Sequence, residues 1–484
     1  MGRRNGCFQL LLTLVLLSAC STNPATGKQQ FTALMSPQQE VQVGAEEHQN
    51  VLKEFGLYPD QKLQAYVQEV GAKVSRNTER PDVRYKFFLL DSPIVNAFAL
   101  PGGYIYTTRG LLSLANSEAE LAAVLAHETG HITARHSAER YSRSVVTMLG
   151  AAVLSSALGD STVSDALGMG TDLYIKSYSR GQENEADSLG IRYLSRVGYD
   201  PRSMSGFLRN LQNDTALEAR LNGQNGASSS SMDYFSTHPA TQERVAKTIT
   251  EAGQYPQQGV VNRDDYLMRI SGITYGESAS QGFVRGQTFY HPELGFQFTM
   301  PSGFHIMNQP QQVIGTSQDG SLIVFDFLPN TDGLAPLNFL QNVMLKGRSA
   351  PDLEKISING FSAATASFNG TANGKAMVIR LIALAWGRDR IARFQLAYPS
   401  NLPAAKLTAL RSATYSFGPM SETDRKRIKP YRLITVTSKS GDTVASMAQR
   451  MPFDTLKEDR FRVLNAMGPR DEVVPNRLYK VVVE

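Results

Sequence analysis

The sequence predicts an α+β protein of several domains, and three observations lead to this fold class. At roughly 100–200 residues per domain, its 484 residues predict about two to four domains. Hydrophobic residues make up 42% and charged residues 19% of the chain, which is ordinary globular composition and excludes a mainly disordered protein. Helical periodicity dominates residues 36–252, whereas short strand-like runs dominate residues 283–418.

Changes in composition along the chain predict the order of the domains. They predict a signal peptide at 1–19, a tether at 20–35, a mainly helical domain with a small β-sheet at 36–252, a linker at 253–282, an α+β domain at 283–418, a linker at 419–430 and a small strand–helix–helix–strand module at 431–484. The net charge is only +5 and forms no basic stripe, so nucleic-acid binding is not expected. No run reaches about 18 apolar residues, so no membrane-spanning helix is predicted.

The N-terminus has the pattern of a secretory signal. Arg3 and Arg4 precede a short apolar run, which is too short to cross a membrane. The run ends at Leu17-Ser18-Ala19-Cys20, which resembles the bacterial lipobox. That resemblance implies cleavage before Cys20, lipid on Cys20, and sorting to the outer membrane because Ser21 is not aspartate. The alternative is a soluble secreted protein with an ordinary cleavage site.

The strongest chemical signal is a His-Glu-x-x-His motif on a predicted helix. Ser117 and Glu120 form a capping box at the start of that helix. His127 and His131 are four residues apart, so both imidazoles leave one face and can share one Zn²⁺. Glu128 lies beside them, where it can accept a proton from a metal-bound water.

A catalytic zinc needs a third protein ligand, and a second acidic motif supplies the candidate. Glu183 and Asp187 are four residues apart on another predicted helix. Glu183 can bind the metal, while Asp187 can hydrogen-bond a ligating histidine and fix its tautomer. Glu185 falls on a different face and is expected to be solvated. His136, about 500° round the helix from His131, is also expected to be solvated.

Together, these two motifs resemble the HtpX-like and CAAX-prenyl-endopeptidase-like zinc metallopeptidases of peptidase family M48, over about residues 36–252. These enzymes are gluzincins, in which a glutamate is the third ligand. The resemblance implies zinc ligands at His127, His131 and Glu183, a general base at Glu128 and a supporting carboxylate at Asp187.

The segment before the first motif is also similar to this family. Asn96–Leu112 resembles its strand and turn before the catalytic helix. That implies a substrate-binding edge strand within Ala99–Thr107, with Ala99, Gly102, Gly103 and Tyr104 near an extended peptide. Main-chain pairing of this kind gives affinity with little demand on substrate sequence.

His238 precedes Pro239 at the start of another predicted helix. Periplasmic members of the family have a similar His-Pro. This implies that His238 approaches the metal, either as a transition-state donor or as a fourth ligand that holds the enzyme shut. A purely structural histidine beside a helix-initiating proline is the alternative.

The last 54 residues resemble a LysM module, a type of domain that binds peptidoglycan glycans. Leu433–Val436 would form the first strand, and the turn at Gly441–Val444 would lead into the first helix. Phe461–Asn465 would lie in the second helix, and Pro475–Tyr479 would return to the last strand. The alternative is a small domain whose role is packing alone.

The sequence therefore predicts a lipid-anchored zinc endopeptidase with one Zn²⁺ per chain. It would face the periplasm from the inner leaflet of the outer membrane. Its substrates would be unfolded or misassembled envelope proteins, with peptidoglycan as a further partner. Two alternatives belong to other classes: a catalytically quiet chaperone or assembly lipoprotein, and a peptidoglycan-binding scaffold.

Overall fold

The computed structural model describes residues 20–158, 177–221, 234–239, 241–256, 259–309, 311–372 and 374–484. Helices and several sheets alternate through these residues, which confirms the α+β multidomain fold class. The predicted signal peptide lies outside the described residues. Within the described part of the chain, no helix combines the length and the apolar character needed to cross a membrane.

The chain divides into two compact units. The first contains the chain up to Gly276 together with Arg432–Glu484, and the second contains Glu277–Tyr431. The C-terminal segment therefore belongs to the same unit as the histidine motif at 127–131 and the acidic motif at 183–187. This grouping could not be read from the order of segments along the chain.

The first unit combines helices with a short hairpin and a small mixed sheet. Its elements up to residue 276 are β1 (Cys20–Thr22), β2 (Gln29–Phe31), α1 (Pro37–Phe55), α2 (Gln61–Ser75), β3 (Lys86–Leu90), β4 (Ala97–Leu100), β5 (Tyr104–Thr108), α3 (Arg109–Leu114), α4 (Glu118–Thr133), α5 (His136–Leu158), α6 (Arg180–Arg196), α7 (Ser203–Leu221), α8 (Tyr234–Thr237), α9 (Gln242–Ala252), α10 (Arg263–Ile270) and β6 (Thr274–Tyr275). In the small sheet β5 is central, with β3 parallel to it on one side and β4 antiparallel on the other.

Helix α4 is the centre of this unit because it is buried on every side. Seven of its sixteen residues are alanine, leucine or valine, and nearly all of its side chains are buried, as expected for a helix enclosed by protein. Two glycines allow α4 and α6 to cross closely. A Cβ on Gly130 would lie 3.1 Å from the carbonyl oxygen of Ala186, and one on Gly190 would lie 3.2 Å from the amide nitrogen of His127. The close crossing brings the two sequence motifs together.

The segment predicted as a tether begins with a two-stranded hairpin. Strands β1 and β2 pair with Cys20 opposite Phe31. After the hairpin, the side chain of Met35 is buried. The guanidinium of Arg135, just beyond α4, donates to the carbonyl oxygen of Met35 at 2.7 Å. The N-terminal segment is thus bonded to the residues that follow the histidine motif.

The second unit is built from two antiparallel sheets and an aromatic core. Its elements are β7 (Phe283–Arg285), β8 (Thr288–His291), β9 (Phe296–Thr299), β10 (His305–Gln309), β11 (Gln312–Thr316), β12 (Leu322–Pro329), α11 (Pro336–Phe339), a π-helical turn (Leu340–Met344), β13 (Glu354–Ile358), β14 (Phe361–Ala372), β15 (Lys375–Trp386), β16 (Arg390–Pro399), α12 (Ala404–Tyr415), β17 (Gly418–Pro419) and α13 (Glu422–Arg427). The larger sheet has the order β10-β11-β12-β16-β15-β14-β13, and the smaller one β17-β9-β8-β7. Phenylalanines from both sheets pack around Phe296 and Phe325.

The C-terminal segment follows the predicted order of strand, helix, helix and strand. Its elements are β18 (Tyr431–Thr437), α14 (Val444–Ala448), α15 (Lys457–Leu464) and β19 (Leu478–Val483). Strand β18 pairs with β19 and stands next to β6 in a three-stranded sheet. Lys480 on β19 is fully buried, and its ammonium donates to the carbonyl oxygens of Ser113, Leu114 and Ala115. These carbonyl groups lie at the C-terminal end of α3. The last carbonyl groups of a helix have no partner within it, so at a buried helix end another donor must reach them.

Candidate metal and catalytic site

Four side chains capable of binding a metal converge where α4 crosses α6. His127 and His131 come from α4, Glu183 from α6, and His238 from the residue after α8. One ligand atom from each lies within 4.8 Å of the others, and all four side chains are buried. The Nε2 atoms of His127 and His131 are 3.0 Å apart, and each lies 3.5 Å from an oxygen of Glu183.

Local sequence explains why these side chains face one another. Ser117 caps α4 by accepting from the amide of Glu120, which fixes the start of the helix ten residues before His127. The four-residue spacing then puts both histidines on one face. Ser179 and Gln182 form a capping box that fixes the start of α6, so Glu183 lies in its first turn.

A second layer of charged groups surrounds the cluster. Oδ1 of Asp187 lies 2.9 Å from Nδ1 of His127, so the carboxylate can fix the tautomer that leaves Nε2 free for a metal. Arg244 on α9 donates two hydrogen bonds of 2.8 Å to Asp187. Its Nη1 also lies 2.7 Å from Oε2 of Glu183. Arg244 therefore holds both carboxylates of α6 in place, a role that the sequence analysis missed.

Glu128 lies beside the cluster in a fully buried position. Among the described residues, neither of its carboxylate oxygens has a hydrogen-bond partner, and Nε2 of His238 lies 3.5 Å from Oε1. Burial raises the pKa of Glu128 above its usual range, although His238 and His127 oppose the shift. A carboxylate with a raised pKa is a stronger base, as proton abstraction at neutral pH requires.

The comparisons with known proteins agree with this geometry. Residues 61–251 match the model of peptidase family M48. The matched segment contains both motifs of the site. The match confirms the family resemblance and the predicted enzyme class, a zinc metalloendopeptidase.

Three curated relatives show how far the similarity extends. The beta-barrel assembly-enhancing protease of Yersinia pestis is 27% identical over 410 residues, which cover 79% of this chain and 79% of that protein. The protein of the same name from Escherichia coli strain K12 is 30% identical over 239 residues, which cover 48% of this chain and 47% of the relative. A mitochondrial metalloendopeptidase of Schizosaccharomyces pombe is 30% identical over 213 residues, covering 43% of this chain and 59% of the relative. The chain thus spans about half the length of the Escherichia coli relative.

The donor set of the M48 site fits a zinc ion. Two imidazoles and one carboxylate are the ligands that many catalytic zinc sites use. The charges around the carboxylates also suit a cation. Burial alone would raise the pKa of Glu183, but nearby His238 and His127 hold it well below its usual value. The buried, unpaired oxygens of Glu128 would be costly without a hydrogen-bond donor, and a water held at the metal is such a donor.

His136 and Glu185 were both expected to face solvent, and both predictions were wrong. His136 is fully buried, and its Nδ1 lies 2.9 Å from Nδ1 of His131. The other nitrogen, Nε2, lies 3.2 Å from Oε2 of Glu185. The error for His136 has a clear cause. Helix α4 ends at Thr133, and Arg135 adopts the left-handed region with φ 58°, so counting 100° per residue no longer applies.

The predicted substrate-binding edge strand needs correction at three of its four named residues. Ala99 lies on β4 at the edge of the sheet, but Tyr104 lies on the central strand β5. Gly102 and Gly103 form the turn between these strands, with φ 79° and 102°. A Cβ on Gly102 would come within 2.7 Å of the Glu40 carbonyl oxygen. Gly102 packs against α1 and Gly103 against the carbonyl oxygen of Arg84, so close packing accounts for both glycines.

Two tyrosines complete the walls of the M48 site and were also missed. The ring of Tyr178 stacks on His131 with centroids 3.8 Å apart, and the ring of Tyr234 stacks on His238 at 4.6 Å. The backbone amide of Tyr234 donates to the carbonyl oxygen of Val95, two residues before β4. Tyr178 lies five residues before Glu183 and Tyr234 four residues before His238, but a tyrosine at these positions matches no metal-ligand spacing.

Proposed function

We propose that this chain is a lipid-anchored zinc endopeptidase that hydrolyses peptide bonds of envelope proteins. The observation that carries the proposal is the meeting of His127, His131 and Glu183 beside the buried carboxylate of Glu128. In this proposal His127, His131 and Glu183 hold one Zn²⁺ per chain. Asp187 and Arg244 keep the ligands oriented.

The proposed mechanism assigns the proton transfers to Glu128. When bound, zinc supplies a Lewis acid that lowers the pKa of a water and polarises the scissile carbonyl. Glu128 takes the proton of the attacking water and then delivers it to the leaving amine. Its raised pKa suits both steps, because the group must gain and release a proton near neutral pH.

His238 is proposed to decide whether the site is open. Its Nδ1 lies 2.9 Å from Oε1 of Glu183 and 3.3 Å from Nε2 of His127. A catalytic zinc keeps one position open, whereas a fourth protein ligand closes it. In the arrangement described here, His238 would be that fourth ligand. Peptide binding would then require it to move, after which it could act as a donor to the substrate oxygen.

The substrates and the location are proposed from the sequence and the relatives. Cys20 is proposed to carry lipid that anchors the chain to the outer membrane, facing the periplasm. Two of the relatives described above bear the name beta-barrel assembly-enhancing protease. We therefore propose unfolded or misassembled envelope proteins as substrates, in a quality-control role. Peptidoglycan binding by residues 431–484 stays a prediction.

Digestion of casein by the mature chain tests the proposed activity. Wild type should cleave, and Glu128→Gln should lose at least about 100-fold in rate because the base is removed. Glu118→Gln is the matched control. Glu118 is also a buried carboxylate on α4, but it accepts hydrogen bonds from Tyr66 and Tyr199 instead of facing the metal cluster. It should retain activity below its unfolding temperature.

Two results would argue against the endopeptidase proposal. Equal cleavage by wild type and Glu128→Gln would contradict the role of the base. If none of the three proteins cleaves casein (wild type, Glu128→Gln and His238→Ala), the catalytically quiet chaperone is favoured. Activity that appears only in His238→Ala would identify a closed but competent site.

A further inference from the structure

His131 is oriented by a chain of hydrogen bonds that runs away from the metal cluster. Its Nδ1 meets Nδ1 of His136 at 2.9 Å, and Nε2 of His136 meets Oε2 of Glu185 at 3.2 Å. His136 is fully buried, and the Glu185 side chain is 14% exposed. The two histidine rings cross at 71°. These contacts have no part in the catalytic steps proposed above.

The direction of each hydrogen bond follows from the carboxylate. An ionised Glu185 can only accept, so Nε2 of His136 carries a hydrogen. A His136 ring with its hydrogen on Nε2 accepts at Nδ1, so Nδ1 of His131 donates to it. The lone pair of His131 is therefore left on Nε2, the atom that faces His127 and Glu183. The chain thus selects the tautomer of His131 that can bind a metal.

Glu185 is itself held by the N-terminal hairpin. Its Oε1 accepts from Nδ2 of Asn23 at 3.4 Å and lies 3.7 Å from the ammonium of Lys28. Asn23 is buried, and its Oδ1 accepts from the amide of Ala25 at 2.9 Å. The turn of the hairpin is therefore built around the side chain that contacts Glu185.

We propose that His136 and Glu185 are positioning residues for the metal ligand His131, and that the hairpin of residues 20–31 holds Glu185 in place. The inference rests on the proposed metal site. In this proposal, two carboxylates of α6 each orient one of the two metal-binding histidines. Asp187 orients His127 directly, and Glu185 orients His131 through His136. The segment that follows the proposed lipid anchor becomes part of the metal site's outer structure.

The affinity for zinc, measured by competition with a chelator on the mature chain, tests this inference. Supporting partners of metal ligands commonly contribute about 10–100-fold in affinity. Glu185→Ala and His136→Leu should each weaken zinc binding by about this factor. Glu185→Gln keeps an oxygen that can accept from His136, so it should restore most of the affinity. The visible spectrum of the Co²⁺-substituted protein should change in Glu185→Ala, because the orientation of His131 changes.

Glu79→Ala is the matched control for these variants. Glu79 is also a partly exposed carboxylate bound to α6, through Arg192 at 3.2 Å and Arg196 at 2.9 Å, but it does not reach the metal cluster. It should lower the unfolding temperature without changing zinc affinity or the Co²⁺ spectrum. If His136→Leu fails to fold, Glu185→Ala and Glu185→Gln carry the test.

The outcomes separate this inference from the proposed function. A wild-type protein that binds no zinc would overturn both. Zinc binding by wild type, with unchanged affinity and spectrum in Glu185→Ala, would overturn the positioning role alone. An equal loss of affinity in Glu79→Ala would also overturn it, because any weakening of α6 would then suffice.

Discussion

Replacing Lys480 with methionine tests whether the C-terminal strand supports the helix that leads into the metal site. The Lys480 ammonium donates to three carbonyl oxygens at the end of α3, at 2.7, 3.2 and 2.7 Å. Methionine has a similar length but donates no hydrogen bond. The change therefore removes all three bonds and leaves buried carbonyls without this donor.

The magnitude follows from two opposing terms. Each hydrogen bond to a charged donor contributes about 1.5–3 kcal/mol. Against this, burying an ammonium costs several kcal/mol, and burial lowers the pKa of Lys480, although the Glu120 carboxylate opposes that shift. We expect a net loss of about 2–4 kcal/mol in the free energy of unfolding. For a unit of roughly 300 residues, with an unfolding entropy near 2.1 cal/mol/K per residue, this lowers Tm by about 3–6 °C.

Differential scanning calorimetry of the mature, zinc-loaded chain is the assay. Lys457→Met is the control, because Lys457 lies in the same segment and donates to one carbonyl oxygen, that of Met451, at 3.1 Å from a half-buried position. It should cost less than about 1.5 kcal/mol. An unchanged or higher Tm in Lys480→Met would contradict this prediction, since the cost of desolvating the ammonium would then outweigh the gain from its hydrogen bonds.

Three further predictions concern the metal and the second unit. Asp187→Asn should weaken zinc binding by about 10–100-fold in chelator competition, because the amide holds His127 less well; unchanged affinity would contradict this. Burial lowers the pKa of His291 to about 4, so the folded state favours the neutral ring. The free energy of unfolding should therefore fall by up to about 3 kcal/mol as the pH is lowered from 6.5 to 4. Fluorescence of Trp386, the single tryptophan, can follow this in urea; His291→Gln should flatten the pH dependence, and an equally steep profile would refute it. Removing zinc should lower the Tm of the M48 unit while leaving the Trp386 transition in place.

The sequence predicted the central motif because its geometry is local. The spacing of His127 and His131 on one helix fixes their relative direction without any tertiary information. Glu183 was predicted from its four-residue spacing to Asp187 on a second helix. The histidine motif had already indicated that a third metal ligand was needed. The family comparison then confirmed the enzyme class.

Groups that depend on contacts between distant segments escaped prediction. His136 reaches His131 because Arg135 adopts a left-handed conformation. Glycine is the residue that usually indicates such a conformation in a sequence, and it is absent at this position. Arg244 meets Asp187 across 57 residues of chain, and no spacing rule connects them. Lys480 precedes a run of three valines on β19 and is fully buried, although a lysine is ordinarily found at the surface. Tertiary packing decided each case, and a single sequence does not reveal it.

The zinc content of two purified variants tests whether Glu183 binds the metal and Glu128 does not. Glu128→Gln and Glu183→Gln make the same chemical change at two buried positions on different helices, one at the proposed base and one at the proposed ligand. Both proteins are prepared without chelator, and the metal is measured by mass spectrometry. We expect about one zinc per chain in Glu128→Gln, as in wild type, and a marked loss in Glu183→Gln. Full zinc in Glu183→Gln, or none in wild type, would contradict this expectation.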